Sequence, residues 1–197
     1  MTRGLTFAAA IIAGSLSASA LAQTAPNVRS MPVIGTAPEV CALEQGSIQP
    51  GQLVNFQGLD GDTLQILQLV DTQTLATRPA SATLSFSAVC NFPHRVRLES
   101  QNNGLWPTDG RVVGDAPGFA TALPYQASIQ WGPTNGRLQA DAKVRRLVEE
   151  RITVDVPTAG EFKLFLELDA GASNTQVNAP VLAGVYGDTL RIFLEPR

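Results

Sequence analysis

The chain has 197 residues, 44% hydrophobic and 16% charged. That is enough apolar material for a core, and it excludes a disordered chain as a class. A net charge of −3 with no basic block argues against nucleic acid or an anionic membrane as partner. One His and two Cys argue against a His/Cys zinc site built within one chain, which takes three or four such ligands.

Residues 1–22 read as a cleaved export signal. Arg3 supplies the positive start, Leu5 to Leu16 the apolar stretch, and Ala20-Leu21-Ala22 the small-x-small site, which places cleavage after Ala22. Gly14, Ser15, Ser17 and Ser19 interrupt the stretch, which is too short to serve as an anchor. No later segment approaches 18 consecutive apolar residues, so no transmembrane helix is expected after the signal. The export signal delivers Cys41 and Cys90 to an oxidising compartment. An even pair there most simply forms one disulfide, the alternatives being two free thiols or an intermolecular bridge. Closing that loop stabilises the fold by about 4 kcal/mol through loop-closure entropy. A CxxC motif is absent, so the bridge reads as structural.

Residues 23–39 hold three prolines. Pro32 and Pro38 rule against a helix, which leaves a flexible leader or an extended strand. Val28, Met31, Val33 and Ile34 give the segment more apolar content than a plain linker needs. The first strand is expected over Leu53–Phe56, a turn at Leu59-Asp60-Gly61-Asp62, and the next strand over Leu64–Val70. Leu84, Phe86, Ala88 and Cys90 share one face of an alternating run, and Ser85, Ser87 and Val89 share the other. After Asn91-Phe92-Pro93, alternation returns over His94–Ser100, with Val96 and Leu98 inward and Arg95, Arg97 and Glu99 outward. Asn102-Asn103-Gly104 is a turn.

Leu123–Trp131 is the next strand, with Tyr125, Ala127, Ile129 and Trp131 on one face. Leu138–Arg151 fits helix and strand templates equally, as a short helix or a charged edge segment. Ile152, Val154 and Val156 alternate, Ala159-Gly160 turns, and Phe162, Leu164, Leu166 and Leu168 follow at period two. The last strand, Leu190–Glu195, turns Leu190, Ile192 and Leu194 inward, with Tyr186 near its start. So many period-two runs specify an all-β sandwich or barrel.

Chemistry-bearing motifs are sparse. A Ser-His-Asp triad would need His94, which lacks a nucleophile-elbow sequence nearby and reads as a solvated strand-end histidine. Asp60-Gly61-Asp62 lacks the full calcium-loop spacing and is a hairpin signal instead. Trp106, beside Pro107, reads as a loop residue and Trp131 as core; together they are the candidates for a sugar-stacking platform. No dinucleotide, P-loop or zincin motif is present. No catalytic residue, cofactor or metal ligand is assigned.

The order of features resembles the spore coat protein U-like domain, the subunit family of archaic chaperone–usher pili. Four features carry it: an early Val40-Cys41-Ala42-Leu43 after the signal and an apolar leader; a strand ending in cysteine that enters a second strand, FSAVCNFPHRVRLESQNNG; Arg111 followed by LPYQASIQW; and the ending GVYGDTLRIFLEP. The resemblance spans most of residues 40–195, with a longer and more charged 133–160 than the family has.

It implies an incomplete immunoglobulin-like sandwich whose last strand is missing. A periplasmic chaperone lends that strand, and in the fibre the leader of a neighbouring pilus subunit replaces it after passage through an outer-membrane usher. The chain stops two residues after the Leu190–Glu195 strand, which suits that reading. Val28, Met31, Val33 and Ile34 are the candidate donor-strand residues. The expected location is the periplasm in transit, then the cell surface. The alternative is a secreted carbohydrate- or surface-binding sandwich using Trp106 and the loops. A secreted hydrolase is the third reading.

Overall fold

The computed structural model describes residues 29–48, 51–109 and 116–197. The signal segment, Val28 and Arg111 lie outside the described residues. The chain divides into a leader unit, 1–36, and a folded unit from Ala37 to Arg197. Leader residues 29–36 carry neither helix nor strand, and Met31, Val33 and Ile34 are exposed.

The folded unit is all-β among its described residues. Its strands in chain order are β1 (Cys41–Leu43), β2 (Leu53–Val54), β3 (Phe56–Asp60), β4 (Thr63–Ile66), β5 (Ala80–Cys90), β6 (His94–Ser100) and β7 (Trp106–Pro107). There follow β8 (Tyr125–Trp131), β9 (Thr134–Ala140), β10 (Val148–Val154), β11 (Thr158–Leu168), β12 (Tyr186–Gly187) and β13 (Leu190–Pro196). The larger sheet runs β1-β5-β11-β8-β9, with β2 also on β5; the smaller runs β10-β6-β13. Two short pairs, β3–β4 and β12–β7, complete the ladder set. The pairings are antiparallel.

Alternation explains the layers, because successive side chains on a strand face opposite sides of the sheet. On β5 Leu84, Ala88 and Cys90 are buried, while Ser87 and Val89 face out. β11 matches β5 over its whole length, from Thr158 opposite Cys90 to Leu168 opposite Ala80. That register sets Phe86 against Phe162, edge to face with ring centres 6.0 Å apart. Trp131 packs on Phe162 at 5.8 Å. From the smaller sheet Val96 and Leu98 close the core, both fully buried. A second apolar cluster at one end joins Ala80, Leu123 and Leu168 to Ala120, Ala179 and Val181 of the long loops.

Several sequence expectations change. The Leu53–Phe56 strand breaks at Asn55, which has φ 58. The Asn55 amide replaces the broken ladder: Nδ2 donates to the Gln68 carbonyl at 2.8 Å and Oδ1 accepts from the Gln68 N–H at 3.0 Å. The expected Leu64–Val70 strand accordingly ends at Ile66. Leu138–Arg151 is not helical: Leu138 belongs to β9, Val148–Arg151 to β10, and 141–147 cross between them. Pairing of β10 with β6 supplies backbone bonds that outweigh the helix propensity of this segment. Ala159-Gly160 is not a turn; both lie inside β11, opposite Val89 and Ala88. Val156 is exposed just past β10.

On one side of the sandwich the sheets meet where β9 approaches β10. There Ile152 lies over Gly136 so closely that a Cβ on Gly136 would sit 2.0 Å from Ile152 Cδ1. Gly136→Ala is therefore expected to wedge this seam and cost about 1–3 kcal/mol. A thermal melt of the variant checks it, an unchanged midpoint being the contrary result.

Candidate functional site

The opposite side of the sandwich is built differently. β1 approaches β13 there, yet β13 hydrogen-bonds only to β6 among the described strands. β13 thus presents an unpaired backbone edge. Leu190, Ile192 and Leu194 turn toward the core as their spacing of two requires, but each remains only half-buried. Facing them from the larger sheet, Cys41, Leu43 and Leu53 are half-buried too. Across the β9–β10 seam, by contrast, Leu138, Ala140 and Val154 are buried, and Ile152 alone of the inward pair on β10 is half-buried. The same core is covered on one side and partly uncovered on the other. Next to β1 and β2, an open trough of about 550 Å³ is lined by Gly46, Ile48, Leu53, Gly58, Leu59 and others.

Two sets of contacts fasten β13 to the sandwich without using that free edge. At its start, the Asp188 carboxylate accepts from Ser100 Oγ at 2.5 Å, Tyr125 OH at 2.8 Å, Asn102 N at 2.9 Å and Asn102 Nδ2 at 3.0 Å. Burial and the nearby Asp188 charge push the Tyr125 phenol above its ordinary pKa of 10.0, so it remains a donor. Asn103 extends the network. Its Nδ2 donates to Asp141 Oδ1 at 2.6 Å and its Oδ1 accepts from the Asp141 N–H at 3.0 Å. Tyr186 OH donates to the Leu182 carbonyl at 2.7 Å, which fixes the turn before β13.

Along the outer face, Arg97 of β6 stacks on Phe193 with its guanidinium carbon 3.8 Å from the ring centre. It also pairs with Glu195 at 2.6 Å and Glu99 at 2.5 Å. The hydrogen bond to Glu195 leads in raising the Arg97 pKa above its ordinary value. Arg191 reaches Glu99 from β13 at 3.0 Å. Glu99, expected to face solvent, is buried under these two arginines.

The disulfide joins Cys41 to Cys90. The two residues sit opposite each other in the β1–β5 register, so the bond fastens β1 to the larger sheet at the border of the seam. The open alternatives of free thiols or an intermolecular bridge are thereby set aside.

The remaining candidates fall elsewhere. His94 is fully buried rather than solvated. Its Nδ1 lies 2.8 Å from the Phe92 carbonyl and its ring 5.0 Å from that of Trp131. The residue opens β6 on the inward parity, so alternation carries it into the core. Trp131 is fully buried and cannot stack on a ligand. Trp106 is half-buried in β7, paired with β12 rather than in a free loop. The core reading of Trp131 holds, and Trp131 is unavailable to a two-ring sugar platform. Asp60-Gly61-Asp62 is the exposed turn of the β3–β4 hairpin. The Asp188 network went unassigned from sequence, although the Gly-x-Tyr-x-Asp-Thr ending contains its central acid.

No family model matches the chain, and no curated protein matches it.

Ile192→Asp places a carboxylate against the partly covered core and is expected to abolish cooperative folding. Soluble variant that melts cooperatively would defeat the placement of β13. Asp188→Ala removes the acceptor of Tyr125 and Ser100 and is expected to cost about 2–4 kcal/mol by denaturant titration. The raised Tyr125 pKa sets the sign of a pH effect. Its stabilisation is complete below the unfolded value of 10.0 and is lost as pH rises beyond it. Tyr125→Phe should flatten that alkaline decline, measured by melts between neutral pH and about pH 11.

Proposed function

We propose that this protein is a structural subunit of a surface fibre, completed by a strand from outside its own folded unit. The unpaired edge of β13 above half-buried Leu190, Ile192 and Leu194 carries the reading. An exposed strand edge is an aggregation liability unless something covers it, and a donated strand covers it with a backbone ladder and alternate side chains.

The strand order supports an immunoglobulin-like assignment. With β9, β10 and the short strands left aside, β1, β5, β6, β8, β11 and β13 read as A to F in chain order. The larger sheet then carries A-B-E-D and the smaller C-F. In a complete seven-strand sandwich G pairs with F, and that place is the open edge of β13. Tyr186, whose hydroxyl bonds back to the Leu182 carbonyl, supports the same assignment, since such a corner precedes F in these sandwiches.

The leader is the proposed donor. Met31 and Val33 lie two apart on one parity, Val28 and Ile34 on the other, so either pair can enter the seam of a neighbouring subunit. Each aliphatic side chain buried there contributes about 1.5–3 kcal/mol beside the backbone bonds. A periplasmic chaperone would occupy the seam before assembly, and an outer-membrane usher would mediate the exchange. The Cys41–Cys90 disulfide accords with passage through an oxidising compartment and a final place at the cell surface.

Deleting residues 23–38 while keeping the signal and Cys41 tests the proposal. The truncated subunit should fold with its chaperone, accept a strand from another subunit, and fail to donate one. Polymerisation equal to that of the full chain would overturn the donor role of the leader.

A further inference from the structure

The crossover from β9 to β10 gathers Lys143, Arg145 and Arg146 within four residues, all exposed. Val144 and Leu147 stand among them at 60% and 52% exposure. Arg145 Nε donates to Asn102 Oδ1 at 3.0 Å, anchoring the segment. The nearby Asp141 carboxylate accepts from the Lys143 N–H and from Asn103, and it also feels the Lys143 and Arg146 charges, which leaves two of the three cationic charges of this rim unopposed by it. In a chain of net charge −3, this rim is locally cationic and carries uncovered aliphatic surface.

The opposite border of the larger sheet holds the complement. The β3–β4 hairpin shares the open trough with the β1–β2 segment. Its turn exposes Asp60 and Asp62 on either side of Gly61. At its foot Val54 and Leu67 are 55% and 64% exposed, in adjacent positions set by the Leu67 N–H to Asn55 carbonyl bond of 2.9 Å. Among the described residues, none of Asp60, Asp62, Lys143 and Arg146 enters an ion pair with another side chain.

These two patches cannot meet within one chain. β1 and β9 are the two borders of one sheet, separated by β5, β11 and β8, about 19 Å at the usual strand spacing of ~4.8 Å. We infer that they meet between copies: the acidic β3–β4 hairpin of a second copy of this chain docks on the Lys143–Leu147 crossover. Opposite charges pair at the hairpin turn, and Val54 and Leu67 at its foot meet Val144 and Leu147 to one side of them. Charge complementarity of this kind sets register and partner choice. The contact is heterologous, with different patches on the two copies, so it builds a ring or an open row and not a two-fold dimer. It leaves the β13 edge untouched and does not rest on the strand-donation reading.

A reciprocal charge swap on the secreted full-length chain tests the inference. One variant is Lys143→Glu/Arg146→Glu, which spares the anchoring Arg145. The other is Asp60→Lys/Asp62→Lys. An intact disulfide and a cooperative melt establish that each is folded. By sedimentation at about 50 mM salt, the wild-type chain should self-associate, and at about 500 mM that association should weaken at least ~10-fold through screening. Neither variant alone should show salt-sensitive self-association, because its two patches then carry like charge. An equimolar mixture should associate again, since every contact between unlike variants pairs opposite charges. A wild-type chain without salt-sensitive association, variants that alone keep a salt-sensitive association, or a mixture that fails to regain one would each overturn the inference. Should either swapped hairpin or crossover fail to fold, Val144→Ser/Leu147→Ser supplies the second reading: it should reduce the salt-sensitive association at least ~10-fold, and an undiminished salt-sensitive association would overturn the inference. Strand-donated polymer persists at high salt and in both charge variants, so the two readings fail separately.

Discussion

β13 is held along one edge. Its ladder to β6 supplies seven in-register pairs, from Leu190 opposite Ser100 to Pro196 opposite His94, and the other edge has no described partner. A strand in that position must be secured by something other than a second neighbour. Asp188 secures its start through four donors drawn from Ser100, Asn102 and Tyr125. Arg97 secures its outer face by stacking on Phe193 and pairing with Glu195. The free edge is consequently a fixed surface, and ordering it adds little cost when a strand arrives.

The asymmetry of the two seams follows from chain connectivity. Between β9 and β10 the chain crosses from one sheet to the other within seven residues, 141–147, and this short crossover pulls the sheets together. Gly136 removes the side chain that would otherwise keep Ile152 away. No comparable crossover joins β1 to β13, which lie at opposite ends of the folded sequence. The Cys41–Cys90 bond ties β1 to β5 within its own sheet and leaves the gap beside β13 unbridged.

The polar interior is concentrated at the β13 end of this arrangement. Asn103 is nearly fully buried, yet its side chain is matched on both atoms by Asp141. Buried polar groups are tolerated when every partner is present, and they then define one geometry sharply. That one geometry joins the turn after β6, the crossover after β9 and the start of β13. Gly104, with φ 132, completes the turn where a Cβ would meet Ala142 at 2.7 Å.

Much of this was legible from residue order. The alternation of Leu84, Ala88 and Cys90, and of Val96 and Leu98, specifies strands because a period of two has one structural meaning. Leu190, Ile192 and Leu194 declared their inward face for the same reason, as did the Asp-Gly hairpin turn. Strand boundaries were less legible. Asn55 left the strand region because its own amide could replace a ladder, and Ala159-Gly160 stayed in β11 because β5 offered partners across all eleven residues. The burial of His94 and Glu99 was decided by neighbours distant in sequence: Trp131 for one, Arg191 for the other. Which edge of β13 remains open was also a tertiary decision. Periodicity records which face of a strand is apolar, but hydrogen-bond edges are chemically identical in every strand, and only the assembled sheets determine which of them find partners.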